Sequence, residues 1–489
     1  MISESLSAEW PITIPSGYTI TLATPQSGIK ISRGEVFPGT PFDMNMFVVF
    51  GTLKLGDPSY PQNSKLTLDG TAPVTATNSL IVVNPSSTLQ MCSNVVLENN
   101  FFLTGSPAQG GAVHTNGTFN MFGGTIRNNK AIDGGGGVFV DGGGNLKMSG
   151  NAEIIDNDIT SASFTVGGGV YFEATSTGNL EMSGYAKIND NKANSTGGNV
   201  CGAGVGFELG SSGDLIMEGN AEINYNKAKS TSLSGAIFGG GVYFCSSGDF
   251  KMDSGNPKIN NNSAISDYDQ ARGGGVFLIG NFIMNTGQIN ENEAKGDGIA
   301  YGGGVHNDTG SFTMNNGEIN DNSAESATAQ AMGGGVSLLG TFTMNNGKII
   351  NNRAESIADQ AMGGGVYVRD RFRMYEGDIK GNYTIAPVSS DSNGGGVYVR
   401  DGALIQNTGD GMFMKFGGTI DGCDGFSPSN KNRALDSSLT PPTVISNGTY
   451  SPGHAVFLES TPWHSNDYGS NSDTAVNLDS HDYPGAWDF

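Results

Sequence analysis

Ten valines in this chain each close a cluster of small residues rich in glycine: Val113, Val138, Val170, Val205, Val242, Val276, Val305, Val336, Val366 and Val397. Behind them runs a recurring phrase, Phe/Leu-x-Met and then Ile-x-x-Asn. From Val138 to Val397 the mean spacing is about 32 residues, a period at which a repeat unit buries itself only against its neighbours. Such an array grows along one axis, so 489 residues do not imply several globular domains.

The stretch from Gly302 to Asn322, GGGVHNDTGSFTMNNGEINDN, contains three short strand-like pieces: Val305-His306-Asn307, Phe312-Thr313-Met314 and Glu318-Ile319-Asn320. Each alternates in period two between Gly/Asn turns, and helical spacing is missing. The expected fold is all-β: a single-stranded right-handed parallel β-helix, or β-solenoid, with three short strands per coil and about twelve coils separated by about 4.8 Å. Methionine (Met121, Met148, Met182, Met217, Met252, Met284, Met314, Met344, Met374) and isoleucine (Ile126 through Ile379) form candidate interior ladders. Asparagine follows that isoleucine by three residues, from Asn129 to Asn382. It reads as a structural corner that accepts a left-handed backbone and bonds the next rung. Glycine, 76 of 489 residues, reads as turn and close-approach chemistry.

Residues 1–45 read as an N-terminal cap with entry strands, 46–425 as β-helix repeats, and 426–489 as a C-terminal cap or a partly irregular tail. Near the end, Lys415 stands where the ladder methionine is expected and Cys423 where the corner asparagine is expected. Length varies mainly between the corner asparagine and the next valine, so one edge carries the longer Ser/Ala/Thr/Asp-rich loops, such as 324–332. Insertions on one face are often where repeat proteins bind, and removing that loop is expected to leave thermal stability nearly intact if it is a reader and not a brace.

A net charge of −22 with 15% charged residues excludes a basic nucleic-acid footprint and disfavours anionic membranes. No apolar run reaches membrane length. The N-terminus lacks a basic and apolar leader, so an exported form is expected to have lost its signal, with Met1 supplied by cloning. Cys92, Cys201, Cys245 and Cys423 show no paired spacing and read as free thiols, Cys201 and Cys245 being poor candidates for a bridge.

The residue after each repeat valine is expected to point outward. Phe139, Tyr171, Tyr243, Phe277, His306, Tyr367 and Tyr398 then form a candidate stripe for stacking on sugars or a partner protein, or else pack on each other beneath the long loops. Arg369-Asp370 and Arg400-Asp401 recur one coil apart, with Arg371 and Arg373 nearby. They read as a salt-bridge stack, as ligand-binding residues, or as an acid–base cleft. No nucleophile set stands out and no catalytic residue is expected. His454, His464 and His481 lack metal-ligand spacing, so neither a metal site nor a cofactor is expected. Asp and Asn in the turns suit at most weakly bound calcium, and the repeat lacks the nonapeptide of calcium-binding β-rolls.

The repeats resemble the passenger regions of bacterial surface adhesins, in particular chlamydial polymorphic outer-membrane proteins, whose repeats pair GGA[ILV] with FxxN. Gly110-Gly111-Ala112-Val113 matches the first element and Gly202-Ala203-Gly204-Val205 is a near variant. The second appears here as IxxN, as in Ile289 to Asn292. The resemblance spans about residues 46–425 and implies a pectin lyase-like β-helix outside the cell or at its surface, binding a host or cell-surface glycan or protein. Autotransporters of this kind carry a C-terminal membrane barrel, which is not expected from these residues, so the resemblance leaves the anchor open. The leading expectation is a non-enzymatic adhesin-like protein. A polysaccharide lyase or glycoside hydrolase with a cleft near Arg369 to Arg400 is the alternative, and a self-associating fibre subunit the third.

Overall fold

The computed structural model describes residues 11–26, 28–33, 44–60, 64–70, 78–103, 109–387 and 392–400, with short strand segments elsewhere. The described residues contain strands and no helix. They fall into two units, Met1–Ser230 with Gly241–Lys258, and Thr231–Gly240 with Ile259–Phe489. Each is a stretch of parallel β-solenoid, and about twelve turns are counted over both.

One turn of the second unit shows how the repeat folds. Val305–Met314 crosses the broad sheet, Glu318–Asn320 the isoleucine sheet, Ser323–Ser326 a corner sheet and Ala331–Met332 an outer sheet, before Val336–Leu338 begins again. The three expected pieces are present, the first two joined in one strand in this turn, and the corner and outer segments add two more strands. Pairing is parallel and joins like to like: Phe312 with Phe342, Met314 with Met344, Ile319 with Ile349, Ala324 with Ala354. In the first unit the same holds for Met91 with Met121, Met121 with Met148, and Ile126 with Ile154.

The ladders fill the interior. Met284, Met314, Met344 and Phe282, Phe312, Phe342 are fully buried. The phenylalanine rings stack at 4.7 to 4.9 Å with interplanar angles of 6° to 10°, so the ring spacing repeats the strand spacing. Near the end Lys415 pairs with Met374, half-buried, and burial lowers its ammonium pKa. The entry segment forms a turn of the same kind: Ile12–Ile14, Thr19–Leu22 and Ile29–Arg33 pair parallel with the strands of the following turn. Parallel pairing also reaches Val456–Leu458.

The corner asparagines bond in a chain. Asn322 donates its backbone N–H (3.0 Å) and one side-chain N–H (2.9 Å) to Asn352 Oδ1 in the next turn, and its other side-chain N–H to Ile289 O in the previous one (2.8 Å). Asn157 repeats this with Asn191 and Ile126 in the first unit. One short amide therefore satisfies every buried donor it carries. Two expectations need correction. The left-handed residue is the one before the ladder asparagine, such as Asp156, Glu291 (φ 57°) and Asp321. A side chain locked in the ladder leaves the exposed neighbour to make the turn. The asparagine position after Asn382 is filled by Asn432, bonded at 2.9 Å from Asn382 N, and Cys423 lies outside the described residues.

The glycine triplet has one use per position. Gly302 takes φ +58°. A Cβ on Gly303 would lie 2.4 Å from the Ser323 carbonyl, and one on Gly304 would press at 3.1 Å on the Asn322 amide.

Asn322→Ala is expected to destabilise the protein by about 3 kcal/mol, because it removes the partner of the buried Ile289 O and Asn292 N in the preceding turn and breaks the side-chain link to Asn352. The exposed Asn316→Ala should stay within about 0.5 kcal/mol. Urea-denaturation midpoints distinguish them. Glu291→Asn should stabilise by about 0.5–1 kcal/mol by relieving the left-handed strain, read by the same titration.

Candidate functional site

The expected outward stripe is in place but covered. Phe139, Tyr171, Phe277, His306, Tyr367 and Tyr398 are at most 5% exposed, and Tyr243 is half-buried. They do leave the broad sheet outward. The outer sheet then folds back over them: Thr165–Val166 and Val200–Cys201 in the first unit, and in the second Ile237–Phe238, Ala271–Arg272, Ala300–Tyr301, Ala331–Met332 and Ala361–Met362. A second apolar layer results, because burying large rings outweighs leaving them in water. In it Phe139 meets His114 at 4.8 Å and Tyr171 at 5.3 Å. Tyr367 and Tyr398 stack at 5.6 Å and cluster with Met332 and Met362. These rings pack on each other, so the exposed-stripe reading is corrected.

The arginine–aspartate pairs do not assemble a site among the described residues. Arg369 is exposed and no ion pair joins it to Asp370, which accepts from Thr341 Oγ1 at 3.4 Å. Arg400 is exposed at the surface and donates to the Tyr367 hydroxyl at 3.4 Å. Asp401 lies outside the described residues, as do His454, His464 and His481. Among the described residues, no group of His, Cys, Asp and Glu could hold a metal ion, and no helix is long and apolar enough to cross a membrane. Cys201 and Cys245 are buried and not joined in a disulfide, and burial raises the Cys201 thiol.

Sequence reasoning missed a file of carboxylates. Asp141, Glu173 and Glu208 each stand three residues after a repeat valine on consecutive turns of the first unit. Glu208 Oε2 accepts from the Tyr171 hydroxyl and from Ala174 N at 3.2 Å. Burial, then the bond to Asp141, raises the Glu173 carboxyl. The signal was present as VFVD, VYFE and VGFE.

The loop edge also differs from a slack rim. Ser326 Oγ donates to Gly298 O at 2.8 Å and accepts Ala329 N at 3.0 Å; Ser356 Oγ donates to Ala329 O at 2.7 Å. Ala324, Ala331 and Met332 are buried. Of the two readings of segment 324–332, reader or brace, these contacts favour the brace. Beyond the pinned bases, large apolar tips stand in water: Phe164 in the first unit, and Leu233 (80% exposed), Tyr268 (54%) and Ile357 (69%) in the second. Each lies between a corner strand and the following outer strand.

Tyr367→Ala should cost about 3–5 kcal/mol through the cavity it opens, whereas Arg369→Ala should cost less than about 0.5 kcal/mol. Thermal denaturation separates the two.

Comparison of the chain with family models, with curated proteins and with solved structures finds no match.

Proposed function

We propose that this is a non-enzymatic, exported or cell-surface binding protein of adhesin type, and that its loop edge is the reading surface for a host or cell-surface glycan or protein. The observation that carries this is the recurrence of exposed Leu233, Tyr268 and Ile357 at one point of the repeat, each beyond a serine-pinned base. Large apolar groups also stand in water at other points of the repeat, such as Phe122, Tyr185 and Leu209; those of the loop edge differ in rising from serine-pinned bases, which suits them to contact. The repeat resemblance to bacterial surface adhesins supports the same reading. Rigid bases also lower the ordering cost of binding.

A second reading, a carbohydrate-active enzyme, is favoured by the Asp141–Glu173–Glu208 file and not by the arginines. A carboxyl raised by burial and packed among other carboxyl groups is the electrostatic pattern from which a general acid is built.

The triple variant Leu233→Ser, Tyr268→Ser, Ile357→Ser is expected to lose binding at least tenfold on glycan and host-protein arrays, with its circular dichroism unchanged. Undiminished binding would refute the loop-edge reading. Sustained turnover of an acidic polysaccharide, abolished in Glu173→Gln, would replace it with the enzymatic one.

A further inference from the structure

We infer that His306 is an acid-operated release for the outer sheet of the second unit, keeping that sheet closed over the aromatic file while neutral and freeing it when protonated. The geometry is unusual for a histidine. Its side chain is wholly buried, and neither ring nitrogen has a hydrogen-bond partner. The ring lies 5.6 Å from Phe277 of the preceding turn and 5.0 Å from Tyr301 of the outer sheet, centroid to centroid. The next turn offers Ser337 in register, also buried and with its hydroxyl unpartnered. The position thus holds an imidazole where the preceding turn holds Phe277, the next Ser337 and the one after that Tyr367.

The charged and titratable groups around it come from three elements. Asp308, on the same strand, has Oδ1 3.6 Å from His306 Nε2, too far for a hydrogen bond. Arg272, on the outer sheet, pairs with that oxygen at 3.2 Å. Arg272 is held in turn by Gln270 Oε1 at 2.8 and 3.0 Å, and it lies over the rings of Phe238 (5.6 Å) and Tyr301 (5.1 Å). Tyr301 is the third group. Arg272 thereby already engages the Asp308 oxygen that lies nearest the imidazole.

A proton on His306 would add a second cation beside Arg272, and Nδ1–H would face no acceptor. Burial accordingly holds the imidazole below its ordinary range, with Asp308 opposing and Arg272 reinforcing. The closed form binds the proton less well than a form in which Tyr301 and Arg272 have lifted into water. Closure is therefore complete above pH ~6.5 and is lost progressively as pH falls below it. Below that point the open fraction rises up to about tenfold per pH unit, until the closed-form imidazole itself titrates. Asp308, held low by His306 and Arg272, adds its own loss only below the ordinary carboxylate range. His114 of the first unit makes the contrast: its side chain is 34% exposed, so water reaches the ring.

Hydrogen exchange of the full chain at pH 7, 6 and 5, corrected for the intrinsic rate, reads the device. The reporters are the amides of Ala271, Gly273, Ala300 and Gly302, which bond across the outer sheet at 2.8 to 3.0 Å. Their protection should fall severalfold to tenfold per pH unit, while the Asn322 amide stays constant. In His306→Phe, which copies Phe277, the dependence should vanish. Protection independent of pH in the native protein, or a dependence that survives the substitution, would overturn the inference. Should the variant fail to fold, imidazole NMR of the native protein decides. A His306 ring still neutral at pH 5.5 supports the release, and one titrating at or above pH 6.5 refutes it.

Discussion

A chain that turns a corner in every coil must find partners for the backbone groups left pointing inward there. In this protein one side-chain amide meets that need in turn after turn. The Asn322 carboxamide donates to Ile289 O behind it and to Asn352 Oδ1 ahead, and Asn352 Oδ1 also takes the Asn322 backbone N–H. Glutamine would reach too far, and aspartate would bring no donors and a buried charge. Each amide polarises the next, so the file behaves as a cooperative network. Because it joins three turns at each step, it also sets the register. A slip of one residue would unpair the amide and turn every methionine and isoleucine outward.

From that register the remaining packing follows. Parallel strands stacked in step place like on like, so phenylalanine meets phenylalanine at 4.7 to 4.9 Å and methionine fills the space beside it. The glycine triplet allows the chain to come back tightly against the Asn322 corner. The same close return lays a two-residue strand over the outside of the broad sheet, and that overlay makes a second core. Turns that carry an outer strand, from Thr165–Val166 onward, thus enclose two apolar layers, the inner one aliphatic and aromatic, the outer one dominated by rings.

The interior was legible in the sequence because the repeat period and the turn coincide. Aligning Met284 with Met314 on paper is the same act as stacking them, and the Ile and Asn columns read out in the same way. The outer layer was not. Period-two alternation says that Tyr367 leaves the face opposite Val366, and nothing about what lies beyond. The cover is a strand of two residues, such as Ala361–Met362, too short to carry a periodic signal. Its trace is the alanine before a large residue and a glycine triplet, at Ala271, Ala300, Ala331 and Ala361. Asn432 was hidden because a long insertion separates it from Ile420. Asp141, Glu173 and Glu208 were passed over because acidic side chains at a strand end normally mean solubility. The paired basic and acidic residues at 369 and 370 attracted notice as neighbours in sequence, yet they lie in the bend between Val366–Val368 and Arg371–Met374, where Arg369 is exposed and Asp370 turns to Thr341. What sequence reasoning located correctly was the variable edge, although its bases turn out to be structural and only its tips are free.

The account rests on the amide file being closed to solvent and continuous. Side-chain carboxamide exchange measured by NMR tests this directly. The Nδ2 protons of Asn322 should exchange only as fast as the second unit unfolds, orders of magnitude more slowly than those of the exposed Asn316. Exchange of the Asn322 carboxamide at a rate comparable to Asn316 would mean that the file is open, and the proposed origin of the register would be wrong.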